Sequence, residues 1–394
     1  MKILQLSYRL PYPLKDGGAI GIYNLTKAYH QLGHQVTLLS FNTKKHFVAD
    51  ENIPSALTSI CNLITVYHNT SLSPIKAFIN LIQNKSYHIS RFKSNDYKSK
   101  LIEILQQNKF DLIHIDGAFM ASYVATIKQY SAAKIIVRAH NVEHFIWQKL
   151  STNASFPKSM YLKILAAQMK REEIALWKKV DIVAAINQNE LNYIATFVGS
   201  EKVKMLAAGI FIDEFKIANS VRIDNSIFYL GSMEWMPNTE AVDWFLKEVW
   251  AKVIAQIPDA TFYLAGRNMP KRYFNIKIKG IKVIGEVDNA TAFMHDKQLM
   301  IVPLKSGGGV RIKIVEAMAA ANAIVATDLA ADGLFTTHQK NIVIANEAND
   351  MANKIIAALQ NKNTLSALRT EARHHAEQYF DQKKLMQVFL NAIN

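Results

Sequence analysis

Short apolar runs alternate with amphipathic stretches along most of the chain. The runs are rich in Ile, Val and Leu and are commonly flanked by Gly, Asp or Asn. Continuous apolar runs of this kind predict buried parallel strands, and a 3.6-residue apolar period predicts helices between them. The predicted strands are 2–7, 36–41, 60–68, 111–115, 134–138, 181–186, 202–206, 226–230, 261–265, 282–285, 299–304, 323–327 and 342–345. The main predicted helices are 19–32, 73–92, 97–107, 158–177, 187–196, 239–256, 310–321, 350–360, 363–379 and 384–393.

The alternation stops once and then starts again, which predicts two α/β domains. Residues 208–225 lack periodicity and are interpreted as a linker. The N-terminal domain is predicted at 1–207 and the C-terminal domain at 226–375, and we expect 376–394 to form a helix that packs back on the N-terminal domain. Each domain is expected to be a Rossmann-like parallel sheet, and the natural place for a ligand is a cleft between them.

The glycine loop after the predicted strand 299–304 is the first candidate site. Gly307, Gly308 and Gly309 precede a helix whose early residues include Arg311 and Lys313. A strand, a glycine loop and a helix N-terminus place backbone N–H groups where an anion binds, whereas cations there are unfavourable unless an anion lies nearby. Glu316 follows on the same side of the helix. The pattern predicts a nucleotide phosphate site with a carboxylate for the ribose. A surface glycine loop with a Lys–Glu pair is the alternative.

Two further candidates follow predicted strands of the first domain. Gly17 and Gly18 lie between the strand 2–7 and the helix 19–32, and His140 directly follows the strand 134–138. The carboxyl ends of parallel strands are where α/β proteins bind ligands. A turn that needs positive φ explains the glycine pair equally, and a hydrogen bond to a neighbouring loop explains the histidine.

Composition and charge indicate which partners the protein can bind and exclude some kinds of site. The chain has 394 residues and a net charge of +14, which attracts anionic partners. No nucleic-acid motif accompanies the charge, so contact with an anionic membrane is the better interpretation. Residues 73–92 form an apolar helix edged with cations, which suits a membrane surface, although packing on the core is the alternative. The single cysteine, Cys61, excludes an internal disulfide framework and a cysteine-based zinc site. We see no signal peptide or membrane span and expect a cytoplasmic protein that can lie at the inner face of the membrane.

Four motifs together resemble retaining glycosyltransferases of family four, in the branch that makes bacterial polysaccharides. The resemblance covers nearly the whole chain and implies the GT-B fold. Its motifs are the early Gly17-Gly18…Gly33-His34 pattern, the middle motif Arg138-Ala-His140-Asn-Val-Glu143, the opening of the second domain at 228–238, and GGGVRIKIVEAMA followed by Gly333-Leu334.

The resemblance also implies roles for the candidate residues. Gly17 and Gly18 lie against the donor phosphates or the acceptor, and His140 contacts the donor sugar. Glu316 holds the ribose, and Arg311 and Lys313 neutralise the diphosphate. The nucleotide base is expected near Gly266-Arg267. The donor is a UDP- or GDP-sugar, the acceptor is a cell-surface glycan or a lipid-linked saccharide, and the enzyme is a hexosyl- or N-acetylhexosaminyl-transferase.

The sequence departs from the family pattern at several positions. Gly308 stands where a glutamate that holds the donor sugar is expected. Ser232 and Asn238 lie near the places of a missing Arg and Lys, and we expect Arg311 and Lys313 to supply their charge. Ala321 occupies the usual glycine position at the end of the helix 310–321, and Asn322 is expected to take the left-handed conformation instead.

The chemistry expected here is glycosyl transfer with retention. No Asp-x-Asp motif lies at a plausible donor loop and the chain has no Cys or His cluster, so we predict neither a metal nor a cofactor. The departing phosphate oxygen then acts as the base toward the acceptor hydroxyl. A sugar-nucleotide 2-epimerase and a non-catalytic nucleotide-sugar-binding partner of an assembly are the alternatives.

Overall fold

The computed structural model describes residues 1–14, 17–152, 154–215, 221–307 and 310–393. Its strands are β1 (Lys2–Ser7), β2 (Gln35–Thr43), β3 (Asn62–His68), β4 (Leu112–Asp116), β5 (Lys134–Ala139), β6 (Ile182–Ala185), β7 (Val203–Met205), β8 (Ser226–Leu230), β9 (Thr261–Ala265), β10 (Ile281–Gly285), β11 (Leu299–Val302), β12 (Ala323–Ala326) and β13 (Val343–Ile344). Every strand predicted from the sequence has a counterpart among them.

Helices connect most of the strands. They are α1 (Gly17–Gln31), α2 (Ser55–Thr58), α3 (Pro74–Ile82), α4 (Tyr87–Ser90), α5 (Asn95–Gln107), α6 (Val124–Tyr130), α7 (Glu143–Thr152), α8 (Lys158–Lys179), α9 (Gln188–Val198), α10 (Met236–Trp244), α11 (Trp250–Gln256), α12 (Lys271–Phe274), α13 (Ala290–His295), α14 (Ile312–Ala319), α15 (Asp328–Ala331), α16 (Ala348–Gln360), α17 (Lys362–Tyr379) and α18 (Gln382–Ile393). Phe245–Val249 joins α10 to α11 as a π-helical turn.

The chain forms two compact units, each built on a parallel sheet. Unit 1 contains Met1–Ala207 and Gln382–Asn394, and unit 2 contains Ala208–Asp381. The sheet of unit 1 has the order β3-β2-β1-β4-β5-β6-β7, and that of unit 2 has the order β10-β9-β8-β11-β12-β13. All pairings between these strands are parallel. The predicted fold class, two Rossmann-like parallel-sheet domains, is therefore confirmed.

The core of unit 2 shows why its apolar runs are continuous. Successive side chains of a strand point to opposite faces of the sheet. Ile227 and Tyr229 of β8 pack in one buried cluster, whereas Phe228 packs in the other. Because helices cover both faces, both sets of side chains must be apolar. Full burial of one such aliphatic or aromatic side chain stabilises the fold by roughly 1.5–3 kcal/mol.

Three local expectations differ from the structure. The predicted helix 73–92 is two helices, α3 and α4, separated by Asn84 in a left-handed conformation with φ 53°. No residue of α3 is buried, whereas Ile89 and Phe92 later in the predicted helix lie in the core of unit 1, so the alternative of packing on the core holds only for the second part of 73–92. Part of the predicted linker 208–225 is packed, because Ile210, Ile212 and Phe215 lie in a buried cluster of unit 2.

The helix ends also differ in detail. Arg311 precedes α14 with φ −88° and ψ 79°, so only Lys313 of the two cations lies in its first turn. The expectation for Asn322 was wrong: Ala321 takes the left-handed conformation with φ 53°. The Asn322 amide is instead buried and donates to the carbonyls of Met294 and Lys297. The predicted C-terminal segment 376–394 contains the end of α17 and the whole of α18, and α18 belongs to unit 1.

Candidate active site

In unit 2, the candidate site lies between β8 and β11, two neighbouring strands whose following loops lead in opposite directions. The loop after β8 turns towards β9, while the loop after β11 leads into α14, because β8 and β11 are neighbours in the sheet but not in the chain. Such a switch point opens a crevice at the carboxyl edge of a parallel sheet. The residues predicted from the glycine motif, Gly307, Arg311, Lys313 and Glu316, follow β11. Gly308 and Gly309 lie outside the described residues.

Lys313 crosses from α14 to the end of β8. Its ammonium donates hydrogen bonds to the Tyr229 hydroxyl at 2.8 Å and to the Asn238 Oδ1 at 3.1 Å. Tyr229 also donates to the Asn238 Oδ1 at 2.6 Å, which closes a three-residue polar cluster. A Cβ on Gly231 would lie 3.2 Å from the ammonium. The amine of Lys313 therefore reaches the first turn of α10, where Asn238 lies near the position of the missing lysine.

The environment of Lys313 lowers its proton affinity. Burial, followed by repulsion from Arg311, lowers the pKa of Lys313 to about 7. Both hydrogen-bond partners are neutral, and among the described residues no carboxylate lies within ion-pair distance of its ammonium. A negatively charged ligand would restore the proton affinity, because an opposite charge nearby favours the charged form.

Glu316 lies one turn further along α14. Burial raises the pKa of its carboxyl group to about 7. Within the described ranges, no ion pair joins it to Lys313 and no hydrogen bond reaches its side chain. Lys313 and Glu316 therefore do not form the surface ion pair that was the alternative. A half-buried carboxylate without a protein donor has its full accepting capacity available for hydroxyl groups of a ligand.

Trp235 closes one side of this site. A Cβ on Gly307, which has φ 105°, would lie 2.8 Å from the Trp235 ring, so only glycine fits beneath the indole. The guanidinium of Arg311 lies 5.7 Å from the centre of the same ring, at cation–π distance. Burial lowers the pKa of Arg311, and Asp332 opposes that effect. Gly307 and Arg311 thus meet at one aromatic side chain.

The loop that carries Arg267 is held against the loop after β8. A Cβ on Gly266, with φ 154°, would lie 1.7 Å from the Gly231 carbonyl oxygen, so the two backbones touch. The backbone N–H of Met233 donates to the Arg267 carbonyl at 2.9 Å. This contact brings the predicted base-binding segment beside the end of β8.

In unit 1, His140 belongs to a buried polar network. Its Nε2 lies 3.5 Å from Oδ1 of Asp116, at the end of β4. Gln5 donates to the other oxygen of Asp116 at 2.7 Å, and Thr26 of α1 donates to the Gln5 side-chain oxygen at 2.8 Å. Burial lowers the pKa of His140, and Asp116 opposes the shift. His140 therefore has a carboxylate partner within its own sheet.

Helix α1 brings the predicted glycine pair towards this network. A Cβ on Gly21 would lie 4.0 Å from Cε1 of His140 and 3.6 Å from a guanidinium nitrogen of Arg138. Gly17 and Gly18 begin the same helix one turn earlier. The first turns of α1 and the end of β5 thus meet at the carboxyl edge of the unit 1 sheet. His140 is not simply bonded to a neighbouring loop, since its ring faces Asp116.

Sequence reasoning missed three contributors. Neither the motifs nor the periodicity assign a role to Asp116 or Tyr229. Arg138, which is 2 % exposed, received no role. Polar residues inside otherwise apolar strands were the available signal, because a buried charge requires a partner. Asp116 and Arg138 occupy paired positions on β4 and β5.

The residues after His140 are anchored by a second buried group. The Nδ1 of His144 lies 2.7 Å from Oε2 of Glu173 on α8, and its Nε2 lies 2.9 Å from the Tyr193 hydroxyl on α9. The backbone N–H groups of Glu143 and His144 also donate to Glu173. Burial, with the nearby charges of Glu173 and Glu190, raises the pKa of Glu143 to about 7.

The described residues were also compared with the requirements of a metal site and of a membrane span. They contain no group of three or more His, Cys, Asp or Glu side chains placed to hold a metal ion. None of the helices they form has both the length and the apolar character needed to cross a membrane.

Comparisons with known proteins agree with the architecture. A structure of HepE from Anabaena in complex with UDP matches with a TM-score of 0.64 at 15 % identity, covering 100 % of this chain and 99 % of that chain. Sucrose-phosphate synthase from Thermosynechococcus elongatus matches with a TM-score of 0.67 at 15 % identity, covering 98 % and 97 %. Both likenesses concern the fold.

Sequence comparison covers both units. An uncharacterized 44.6 kDa protein in the cps region of Klebsiella pneumoniae is 24 % identical over 398 residues, covering 98 % of this chain and 97 % of that protein. Residues 224–361 match the family described as glycosyl transferases group 1. Residues 15–214, half of the chain, match Glycosyltransferase Family 4. The chain therefore belongs to the family 4 glycosyltransferases and has their GT-B fold.

Proposed function

We propose that this glycosyltransferase moves a sugar, with retention, from a UDP- or GDP-sugar to a cell-surface glycan or lipid-linked acceptor. The observation that carries the proposal is the buried Lys313 ammonium at a switch point of the sheet. Its hydrogen-bond partners, Tyr229 and Asn238, are both neutral. A cation in that position lacks only an anion, and a diphosphate supplies one. The UDP complex of HepE supports a nucleotide at this type of fold.

Each candidate residue has a role in this proposal. Lys313, Arg311 and the N-terminus of α14 stabilise the negative charge that grows on the departing diphosphate. Glu316 accepts hydrogen bonds from the ribose hydroxyls, and Arg267 lies beside the base. His140 contacts the donor sugar, while Gly17 and Gly18 leave space for the phosphates or the acceptor. Gly307 takes part in the phosphate loop, as do Gly308 and Gly309 by their motif.

The proposed reaction needs no metal and no cofactor. Two cations and a helix dipole provide the charge stabilisation that a divalent ion provides in other transferases. The departing phosphate oxygen accepts the proton of the acceptor hydroxyl on the same face from which the new bond forms. Transfer rates in the presence of a chelator test the first point, and the anomeric configuration of the product tests the second.

The biological setting is the synthesis of bacterial polysaccharide or lipopolysaccharide. The motif resemblance and the relative from a cps region support that setting. We place the enzyme in the cytoplasm, at the inner face of the membrane. The net charge of +14 and the exposed apolar side chains of α3 support contact with anionic lipid.

Titration of the protein with a panel of UDP- and GDP-sugars tests the donor site. Glu316→Ala should weaken donor binding roughly 10- to 150-fold, the equivalent of hydrogen bonds to a charged group. Glu248→Ala, which removes an exposed carboxylate from the same unit, is the control and should bind like the wild type. Unchanged affinity in Glu316→Ala would refute the ribose assignment.

Incubation with the donor alone separates the alternatives. A sugar-nucleotide 2-epimerase converts the donor without an acceptor, whereas a transferase requires a lipid-linked or glycan acceptor for turnover. A non-catalytic partner binds the nucleotide sugar and turns over in neither assay.

A further inference from the structure

A basic cavity lies at the carboxyl edge of the unit 1 sheet, outside the residues assigned so far. Its volume is about 610 Å³, and its walls follow the ends of β1, β2 and β3. Five basic residues line it: Arg9, Lys44, Lys45, His46 and Arg91. No carboxylate appears among its lining residues. Because four of these side chains are cationic at neutral pH, the cavity favours an anion.

Two polar groups of the wall have unused hydrogen-bonding capacity. The Thr43 side chain is 3 % exposed, and its buried hydroxyl has no partner among the described residues. The buried Nε of Arg91 likewise has none, while its guanidinium lies 5.1 Å from the centre of the Phe92 ring. Buried polar atoms normally find partners, so their presence beside a cavity indicates a ligand that accepts hydrogen bonds. Phosphate oxygens accept from both kinds of group.

The cavity reaches the network that contains His140. Tyr8 lines the cavity, and its ring centre lies 6.3 Å from that of His140 in an edge-to-face arrangement. Both residues belong to unit 1. The part of a bound molecule that lies beside Tyr8 is therefore close to His140, the residue that we assign to contact with the donor sugar.

An exposed apolar helix begins beside the cavity. Ser71 and Leu72 line the cavity, and α3 starts two residues later. Ile75, Phe78 and Ile82 of α3 are 74 %, 61 % and 70 % exposed. Their spacing of three and four residues places them on one side of the helix. A hydrogen bond of 2.8 Å from the Ser73 N–H to the Tyr87 hydroxyl fixes the start of α3 beside the cavity.

We propose that the cavity binds the diphosphate of a lipid-linked acceptor, whose lipid lies along the exposed side of α3. The proposal rests on the proposed function, because only a transferase requires an acceptor here. An anion site next to an exposed apolar helix matches an amphiphile with a phosphorylated head and a hydrocarbon tail. A soluble acidic glycan matches the charge but leaves the apolar side chains of α3 unexplained.

Direct binding of farnesyl diphosphate and of inorganic pyrophosphate to the full chain tests the proposal. Both titrations are repeated in Lys313→Met, in which loss of the unit 2 cation weakens binding of a diphosphate at the nucleotide site. Farnesyl diphosphate should bind at least about tenfold more tightly than pyrophosphate, because each buried methylene contributes to its affinity. Equal affinities would overturn the lipid assignment.

Two double variants separate the head group from the tail. Lys44→Gln with Lys45→Gln should weaken both ligands by roughly tenfold or more. Ile75→Ser with Phe78→Ser should weaken farnesyl diphosphate and leave pyrophosphate unchanged. Lys178→Gln with Lys179→Gln removes the same charge from an exposed pair at the end of α8, which precedes β6, and should bind both ligands like the wild type.

The outcomes distinguish this proposal from the proposed function. Wild-type affinity in the Lys44 and Lys45 variant would overturn the cavity assignment, even where nucleotide sugars bind through Glu316. Binding of farnesyl diphosphate through Lys44 and Lys45, without any binding of nucleotide sugars, would support the cavity and refute the donor site.

Discussion

The carboxyl edges of the two sheets are held in different ways. In unit 1, side chains bind one another: Thr26 donates to Gln5, Gln5 donates to Asp116, and Asp116 faces His140. In unit 2, the loops touch through backbone, with Gly266 against the Gly231 carbonyl. Unit 1 thus has a buried carboxylate for its cationic and imidazole groups, whereas Lys313 of unit 2 has only neutral partners.

The difference indicates that the switch point of unit 2, rather than that of unit 1, requires a bound anion to balance its charge. The network around His140 contains its own carboxylate, Asp116, so it is largely set before any ligand binds. The candidate site of unit 2 carries an unbalanced cation whose pKa is lowered to about 7. A site of that kind gains most from a negatively charged ligand. Three variants test the comparison.

The largest effect is expected for Gly266→Ala. Its Cβ would lie 1.7 Å from the Gly231 carbonyl oxygen, and φ of 154° is unfavourable for alanine. We expect the free energy of unfolding to fall by roughly 3–5 kcal/mol. Thermal unfolding measures the change. Gly17→Ala is the matched control, because a Cβ there meets nothing within 4 Å, and it should unfold at the wild-type temperature or slightly above. An unchanged unfolding temperature in Gly266→Ala would show that the loops of unit 2 are not held by this contact.

Asp116→Ala should have the next largest effect. Removing a buried carboxylate leaves the Gln5 amide without its acceptor and the His140 ring without the charge that faces it, so the free energy of unfolding should fall by roughly 2–4 kcal/mol. Asp116→Asn keeps an oxygen for Gln5 and should recover part of that loss. Because Asp116 raises the pKa of His140 against burial, both variants should lower that pKa further, which NMR titration of the ring measures. A His140 pKa that does not move would show that the two side chains act independently.

Lys313→Met should have the smallest effect of the three, and the effect should depend on pH. The free enzyme loses the Lys313 charge as the pH rises through about 7, whereas a bound diphosphate holds the proton. The affinity of the wild type for a nucleotide sugar should therefore fall by up to about tenfold for each pH unit above 7. Lys313→Met should bind more weakly at pH 6 and lose the fall in affinity above pH 7, while any dependence that comes from Glu316 remains. A wild-type profile with the same shape as that of Lys313→Met would argue against Lys313 as the diphosphate cation.

The same group affects the pH dependence of stability with a definite sign. The folded pKa of Lys313 is lowered to about 7, while the unfolded value is 10.5. Between these values the unfolded chain binds more protons, so the contribution of Lys313 to stability rises with pH in that window. Lys313→Met removes this rise.

Local patterns predicted the strands and the positions of the candidate residues, but not their contacts. Apolar runs such as 299–304 identify buried strands, and the spacing of Lys313 and Glu316 follows from the helix period. The direction taken by the Lys313 side chain depends on Tyr229 and Asn238, which lie 84 and 75 residues away in the chain. Gln5 and Asp116 are separated by 111 residues. Such pairings depend on strand order, which periodicity does not encode.

The surroundings of α3 likewise could not be predicted from its sequence pattern. Its apolar spacing fits a helix that packs on a core and a helix that faces a membrane equally well. Only the tertiary structure distinguishes them, since it leaves every residue of α3 unburied. The left-handed residue at the end of α14 was placed one position too late for a related reason. The buried amide of Asn322 is fixed by the Met294 and Lys297 carbonyls, which sequence reasoning did not anticipate.

Helix α18 has a consequence for how the molecule is synthesised. It belongs to unit 1 but follows the whole of unit 2 in the chain, and the Lys134 ammonium binds the Ile393 carbonyl. On the ribosome, the packing of unit 1 is therefore complete only once α18 has been translated, after the whole of unit 2. Expression of residues 1–207 alone would omit that layer. A permuted gene that joins 382–393 to the first unit provides a direct way to obtain it as a separate protein.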